Sequence, residues 1–236
     1  NMLTREGHDN GDLDSPITDS EDSTYDAAGN MLTRRVHGNG DLASAVTQSY
    51  EYTYDAHGNE LTYRIRNGDL DTAVTNSSEA TFGGKGQRLT LHRHQNGDLD
   101  SAVTYSERAS FDAMGNRLTL EVFDSGDFLT PVAYSYRIFY DSRGNKISEQ
   151  KHDGDLNASI LFSAAYTYDD ADNQIRGEYH GNGDLLSPVT FSVETNFDEW
   201  GNVLTLQEHD MGDLNSPVNY SRAYSGYIPL PFDIAQ

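Results

Sequence analysis

The stretch NMLTRRVHGNGDLASAVTQSYEYTYDAHG, residues 30–58, decides the fold because the rest of the chain repeats its pattern. Its Gly-Asp-Leu tripeptide, once Gly-Asp-Phe, recurs every 28 or 29 residues. The Asp residues of the eight copies are Asp12, Asp41, Asp69, Asp98, Asp127, Asp155, Asp184 and Asp213. A fixed period of this size indicates one supersecondary unit copied head to tail, in which each copy packs against its neighbours. We predict a single array over residues 1–236, with units that start near residues 1, 30, 59, 87, 116, 145, 173 and 202.

The composition excludes several classes of partner. Lys and Arg number 16 against 38 Asp and Glu, which gives a formal net charge of -22. Such a charge repels phosphate backbones and anionic lipid, and it attracts multivalent cations. The sequence has no apolar stretch of the length that spans a bilayer, and it has no cysteine for a disulfide or a thiolate metal site. We therefore expect no nucleic-acid partner and no membrane insertion.

A period-two alternation surrounds the Ser of the Val-Thr-x-Ser segment in each copy. In the fifth copy, one face carries Val132, Tyr134, Tyr136, Ile138 and Tyr140. This alternation is typical of a half-buried strand. Tyr-Asp-x-x-Gly-Asn, with an Asp that caps and a Gly suited to positive φ, predicts one turn, and Gly-Asp-Leu predicts a second. The sequence therefore predicts an all-β fold, a tandem array of eight two-stranded hairpin repeats of 28–29 residues that forms a spiral sheet or a β-solenoid.

The Tyr-Asp-x-x-Gly-Asn segment also carries a family resemblance. YDAAGN at residues 25–30, YDAHGN at 54–59 and YDSRGN at 140–145 resemble the YD repeats of the Rhs, teneurin and wall-associated protein group. The resemblance implies successive β-hairpins in a spiralling sheet that can form a shell. This chain departs from the family pattern in its longer unit and its Gly-Asp-Leu insertion, and no toxin or self-cleaving core segment is visible in it.

The eight Asp residues of the Gly-Asp-Leu segments are candidate calcium ligands. Closely spaced oxygen side chains on a tight Gly turn suit a hard cation. The residue two positions after the Asp varies among Asp, Ala, Leu and Asn, so a full ligand set is not retained. Two interpretations stay open: calcium binds in some repeats, or each Asp accepts backbone N–H bonds within its own turn.

Two further rows of residues are candidates for binding. Six copies place a His before the Gly-Asp-Leu turn: His8, His37, His94, His152, His180 and His209. This row could bind a transition metal or respond to pH, or each His could pack along the sheet and bond to the nearby Asp. Aromatic residues beside the repeated Ser could stack on a surface glycan or pack between repeats. They are Tyr105, Tyr134, Phe162, Phe191 and Tyr220.

The recurrence of Ser, His and Asp argues against catalysis, because an active site is normally built once from residues that break a pattern. We predict a non-enzymatic structural protein of the bacterial exterior, secreted or on the cell surface: a stalk, shell segment or fibre subunit. We expect it to associate with itself or with neighbouring repeats of a longer chain. Asn1 stands just after the point where a preceding unit would have ended, which indicates a fragment or a processed product. The alternative is a calcium-dependent adhesin or a glycan-binding module.

Prolines in IPLPF at 228–232 predict a capping or assembly tail over residues 226–236.

Overall fold

The computed structural model describes residues 1–8, 15–38, 40–210, 212, 214–215 and 217–223. These residues form sixteen β-strands joined by turns, so the all-β prediction is confirmed over these ranges. The strands are β1 (Met2–His8), β2 (Ile17–Tyr25), β3 (Met31–Gly38), β4 (Val46–Tyr54), β5 (Glu60–Arg66), β6 (Val74–Phe82), β7 (Arg88–Gln95), β8 (Tyr105–Phe111), β9 (Arg117–Phe123), β10 (Tyr134–Tyr140), β11 (Lys146–His152), β12 (Ile160–Tyr168), β13 (Gln174–His180), β14 (Phe191–Phe197), β15 (Val203–Asp210) and β16 (Tyr220–Ala223). The described part of the chain contains no helix long and apolar enough to cross a membrane. The predicted tail, residues 226–236, lies outside the described residues.

Contacts between residues divide the chain into two compact units. Unit 1 comprises residues 1–110 and 121–133, and unit 2 comprises residues 111–120 and 134–236. Unit 1 contains β1 to β7 and most of β8, whereas unit 2 contains β10 to β16. Within each unit, the order of the strands in the sheet is their order in the chain.

The strand pairings of both units are those of hairpins. In unit 1, β4 runs antiparallel to β5, with Ser49 opposite Arg66. In unit 2, β12 runs antiparallel to β13, with Ser163 opposite His180. A β-solenoid with one repeat per turn would instead pair each strand with its counterpart one repeat away. The pairings described within the two units therefore favour a hairpin array.

The segment Asp-x-x-Gly-Asn, here called the Asp-Asn turn, joins most even-numbered strands to the next odd-numbered one; after β6 and β12 its place is taken by GGKGQ at residues 83–87 and DDADN at residues 169–173. After β2, the Asp26 N–H donates to the Asn30 carbonyl at 2.9 Å. The Asp26 carboxylate accepts the Asn30 backbone N–H at 2.8 Å and its side-chain amide at 2.9 Å. That amide bond is the main reason why the pKa of Asp26 lies below its ordinary value. Gly29 has φ 93°, which confirms the predicted positive φ.

Both faces of the sheet contribute buried residues. On the face where aromatic residues alternate, Tyr136 is half-buried and Ile138 is buried, as predicted. The opposite face is polar, yet it holds the most buried position of the repeat. The Ser residues at this position are 0% exposed at Ser49, Ser106, Ser135, Ser163 and Ser192. The alternation alone did not indicate this burial, which arises because the Gly-Asp-Leu turn folds over the polar face.

Candidate functional site

The Gly-Asp turn, the segment that begins at Gly-Asp-Leu and joins the two strands of one repeat, organises the polar face. In the second repeat the Asp41 carboxylate accepts the Ala43 N–H at 2.9 Å, and the Ser44 N–H donates to the Asp41 carbonyl at 3.0 Å. Each other Asp of this motif in the described residues also accepts a backbone N–H of its own turn. They are Asp69, Asp98, Asp127, Asp155 and Asp184. Asp12 and Asp213 lie outside the described residues.

The calcium role of these Asp residues stays a prediction. The N–H bonds show that each described carboxylate already takes part in its own turn, as the second interpretation requires. Among the residues that the structure describes, no group of three or more His, Cys, Asp or Glu side chains is arranged to hold a metal ion. A calcium ion at a Gly-Asp turn would therefore need ligands from water, backbone carbonyls or a neighbouring turn.

In two of the described Gly-Asp turns, an Arg from the preceding repeat pairs with the Asp carboxylate. The Arg64 Nε donates to the Asp98 carboxylate at 2.6 Å, and an Arg35 nitrogen lies 3.8 Å from the Asp69 carboxylate. Burial acts to raise the pKa of Asp98, but hydrogen bonds from Arg64 and from the backbone outweigh it and hold this pKa below its ordinary value. Because a guanidinium already neutralises these two carboxylates, they are less suited to calcium than the Asp residues of the other turns.

The repeated Ser binds the Gly-Asp turn to the sheet. The Ser77 hydroxyl donates to the Gly97 carbonyl at 3.0 Å, and the Ser163 hydroxyl donates to the Gly183 carbonyl at 2.8 Å. The same bond recurs at Ser20, Ser106 and Ser192. In each case the acceptor is the carbonyl of the Gly that opens the turn, twenty residues further along the chain.

The row of His residues binds the other end of the same turn. The His37 Nδ1 lies 2.8 Å from the Ser44 carbonyl and the His94 Nδ1 lies 2.8 Å from the Ser101 carbonyl. Equivalent bonds occur at His8, His152 and His180. The burial expected of a residue packed along the sheet is confirmed at His37 and His94. The ring partner is a turn carbonyl and not the Asp of the same turn.

One buried ionic cluster lies between β2 and β3. The His37 Nε2 is 3.0 Å from the Asp22 carboxylate, and the Arg35 Nε donates to the same carboxylate at 3.0 Å. The Asp22 hydrogen bond, followed by that to Ser44, raises the pKa of His37. Burial acts to raise the pKa of Asp22, but the bonds from His37 and Arg35 outweigh it and lower that pKa. The cluster therefore places the His37 ring between two acceptors, the Asp22 carboxylate and the Ser44 carbonyl, which both favour its protonated form.

Ser20 and His37 are both held by hydrogen bonds within the fold. Ser20 lies opposite His37 across the two strands, but its hydroxyl proton goes to the Gly40 carbonyl. Both ring nitrogens of His37 are already bonded, to Asp22 and to Ser44. Such a Ser has no general base to activate it, and its burial keeps a substrate away.

The aromatic row packs within the sheet. The Tyr134 ring lies 5.9 Å from that of Tyr136, and Phe162 and Phe191 lie 6.1 Å and 5.4 Å from the Tyr179 ring. The Tyr105 hydroxyl donates to Glu107, while Tyr220 is exposed. These contacts satisfy the packing interpretation, and binding of a surface glycan stays a prediction.

Comparison with known proteins gives only distant likeness in fold. No protein-family model and no curated protein matches the chain. A crystal structure titled TcdB2-TccC3-Cdc42 matches at 13% identity and TM-score 0.46, over 93% of this chain and 13% of that chain. The Tc holotoxin pore of Photorhabdus luminescens matches at 16% identity and TM-score 0.41, over 88% of this chain and 13% of that chain. A porin-like protein from Bacteroides uniformis matches at 11% identity and TM-score 0.38, over 93% of both chains. At these TM-scores the likenesses define neither a family nor a function.

Sequence reasoning missed two polar residues of this face, Asp22 and His92. Both depart from the repeat: Asp22 occupies the position of Glu51 and Glu79, and His92 occupies that of Arg35 and Arg64. A search for departures from the pattern would have found them, since the repeated residues themselves are used to hold the turns.

Proposed function

We propose that the chain is a non-enzymatic structural segment of a protein of the bacterial exterior, such as a stalk, a shell segment or a fibre subunit. The observation that supports this proposal most directly is that the recurring polar groups form hydrogen bonds within the fold. In several repeats the Ser and His bind the two ends of one Gly-Asp turn to the sheet, as Ser77 and His94 do. The same residue types would face an open cleft if they served catalysis.

The bonding pattern suits a mechanical role. The Ser bond ties a strand to the turn of the following repeat, and Arg64 ties β5 to the Gly-Asp turn that holds Asp98. Stability in such an array is a sum of repeat terms and nearest-neighbour terms, so every added contact between repeats stiffens it. The spiral sheet that the YD-repeat resemblance implies is the form we propose, with partners that are further copies or further repeats of a longer chain.

Two measurements test this proposal. A fluorophosphonate probe followed by peptide mass spectrometry should label none of the repeated Ser residues selectively, because the side chains from Ser20 to Ser192 in this row are buried. Electron micrographs at rising concentration should show rods, fibres or regular shells. Selective labelling of one repeated Ser would indicate an enzyme, and compact isolated monomers at every concentration would indicate a binding module.

Calcium is the proposed stabiliser of the Gly-Asp turns that lack an Arg. We expect calcium to raise the melting temperature above that in sodium at matched ionic strength, with a chelator as the reference. Asp127→Asn should reduce the shift. Asp98→Asn is the matched control and should leave it unchanged, because Arg64 already neutralises Asp98. If calcium and sodium shift the melting temperature equally, the Gly-Asp-Leu motif forms a turn but does not bind calcium.

A further inference from the structure

Strand β7 contains a His-x-His sequence that no other repeat has. His92 and His94 are two residues apart on one strand, so both lie on the polar face. Glu79 of β6 lies directly opposite His92. Two imidazoles and a carboxylate therefore meet on neighbouring strands of unit 1.

His94 offers a buried lone pair. Its Nδ1 is 2.8 Å from the Ser101 carbonyl, so this nitrogen carries the proton, and a neutral ring then has its lone pair on Nε2. The side chain is 1% exposed, and Nε2 has no hydrogen-bond partner. A Glu79 carboxylate oxygen lies 3.9 Å from this nitrogen. A neutral His94 therefore places a nitrogen lone pair within 3.9 Å of a carboxylate oxygen.

His92 has the same tautomer. Its Nδ1 lies 3.0 Å from the Ser106 hydroxyl oxygen, and the single proton of that hydroxyl goes to the Gly126 carbonyl at 2.7 Å. Ser106 therefore accepts from the His92 Nδ1–H, which leaves the lone pair of a neutral ring on Nε2. A metal-binding His almost always has its other nitrogen held in this way by a protein acceptor.

The preceding repeat shows how the carboxylate at the position of Glu79 is neutralised there. Glu51 occupies the position of Glu79, and it lies 3.9 Å from Arg64 and 3.0 Å from Arg66. The residues corresponding to these two Arg residues are His92 and His94. Where two guanidinium groups neutralise Glu51, two imidazoles, which can serve as metal ligands, stand at the corresponding positions beside Glu79.

We propose that Glu79, His92 and His94 bind a divalent transition-metal ion of the zinc class, for which imidazole and carboxylate ligands are typical. Metal–nitrogen and metal–oxygen bonds are each about 2.0–2.2 Å long. One ion can therefore bridge the 3.9 Å between the Glu79 oxygen and the His94 Nε2. An adjoining cavity of about 200 Å³, lined by Glu79 and His92, leaves room for water to complete the coordination.

Only two of the three ligands already face each other. No group of three among the described residues is arranged to hold a metal, so binding turns the side chains of Glu79 and His92 toward His94. Glu79 is 47% exposed, which leaves it free to rotate. Turning His92 also changes its contacts with the Phe128 ring, whose centre lies 4.4 Å away, and with the Ser106 hydroxyl, and the metal bonds have to offset both changes.

Calorimetric titration of the chelator-treated chain with zinc tests the site. We expect one high-affinity ion per chain, and binding at least about tenfold weaker in Glu79→Gln and in His92→Phe. Phe at position 92 keeps a ring beside Phe128 but has no nitrogen. Glu51→Gln is the matched control in the preceding repeat and should bind zinc as the native chain does.

A second readout separates ligand loss from misfolding. Cobalt bound by nitrogen and oxygen ligands should show visible absorption bands that disappear in Glu79→Gln, while the far-ultraviolet circular dichroism stays that of the native chain. Absence of high-affinity zinc binding in the native chain would overturn the proposal. Equal binding by the native chain and either variant would also overturn it, because the ion would then be held by other residues.

Discussion

Two neighbouring hairpins of unit 2 carry the same fully buried Ser, but only one hydroxyl has a partner. Ser163 donates to the Gly183 carbonyl at 2.8 Å, whereas the Ser135 hydroxyl is buried without a hydrogen bond. Unit 1 repeats the contrast, since Ser77 donates to Gly97 at 3.0 Å and the Ser49 hydroxyl has no partner. The burial of the Ser is therefore independent of its hydrogen bond.

The length of the Gly-Asp turn explains the contrast. In the long repeats, the acceptor Gly lies twenty residues after the Ser. After Ser49 and Ser135, the strand and turn are one residue shorter, and these are the two places where the Asp spacing falls to 28 residues. An Arg137 side chain binds the Leu156 carbonyl of the short turn instead, at 3.1 Å. One residue in a surface turn thus decides whether a hydroxyl on the sheet is satisfied.

The largest expected effect is at the most fully bonded long repeat. Asp22→Asn removes the charge that pairs with the buried His37 and with Arg35. We expect a loss of about 3 kcal/mol in the free energy of unfolding, since the buried His37 loses the carboxylate that compensates its charge. Urea unfolding of the whole chain measures it. Glu194→Gln, at the same position of the Ser192 repeat, is the control and should change stability little.

The contribution of this cluster should depend on pH. The pKa of His37 is raised, so its stabilisation is fully present below its unfolded value of about 6.5 and is lost as the pH rises through its folded value. The pKa of Asp22 is lowered, so its stabilisation is present above about pH 4 and is lost as the pH falls through its folded value. The stability difference between the native chain and Asp22→Asn should therefore be greatest between about pH 4 and 6.5. A difference that does not vary from pH 5.5 to 8.5 would show that the pair is not ionic.

Removing the Ser163 and Ser135 hydroxyl groups tests the difference between long and short turns directly. Ser163→Ala removes a bonded hydroxyl and should cost about 1–2 kcal/mol. Ser135→Ala removes a buried hydroxyl that has no partner, and it should be neutral or slightly stabilising. Thermal unfolding of the two variants measures the difference. Equal losses would mean that the hydrogen bond to Gly183 contributes nothing.

Adding one residue to a short turn tests the same explanation in the opposite direction. A Gly inserted between Arg66 and Asn67 gives the short turn the spacing of HGNGDL at residues 37–42. We expect a gain of about 1 kcal/mol, because the Ser49 hydroxyl regains a carbonyl partner and the loop-closure cost of one residue is small. We expect Ser49→Ala to change the stability of the native chain little and to destabilise the insertion variant. A mutant cycle that shows no coupling would contradict the length explanation.

The smallest effect is expected at the Asp-Asn turn that lacks its Asp. There the Gly83 N–H donates to the Gln87 carbonyl at 2.8 Å, so the backbone turn persists without a carboxylate. Gly83→Asp combined with Gln87→Asn should raise the melting temperature slightly by rebuilding the bonds that Asp55 makes with Asn59. The Asn59 amide lowers the pKa of Asp55, so we expect the gain above about pH 4 and its loss in acid. A gain that persists at pH 2.5 would not come from the carboxylate.

The sequence by itself determined the local structure of the repeat. Period-two alternation predicted the strands because successive side chains point to opposite faces. The Asp-x-x-Gly-Asn segment predicted a turn with positive φ at Gly29, because the capping bonds of Asp26 are made within five residues. The resemblance to YD repeats led to the same hairpins. Each of these features depends on residues close together in the chain, which is why a pattern can predict it.

The tertiary structure alone decided which polar groups are buried and what they bind. The alternation shows which residues share a face, but it does not show that the Gly-Asp turn folds over the polar one. The Ser163 bond joins residues twenty positions apart, and its loss at Ser135 depends on one residue of turn length. The meeting of Glu79 with His94 depends on the register of β6 and β7. Such contacts are set by how the strands and turns pack in space, and the order of residues within one repeat does not specify that packing.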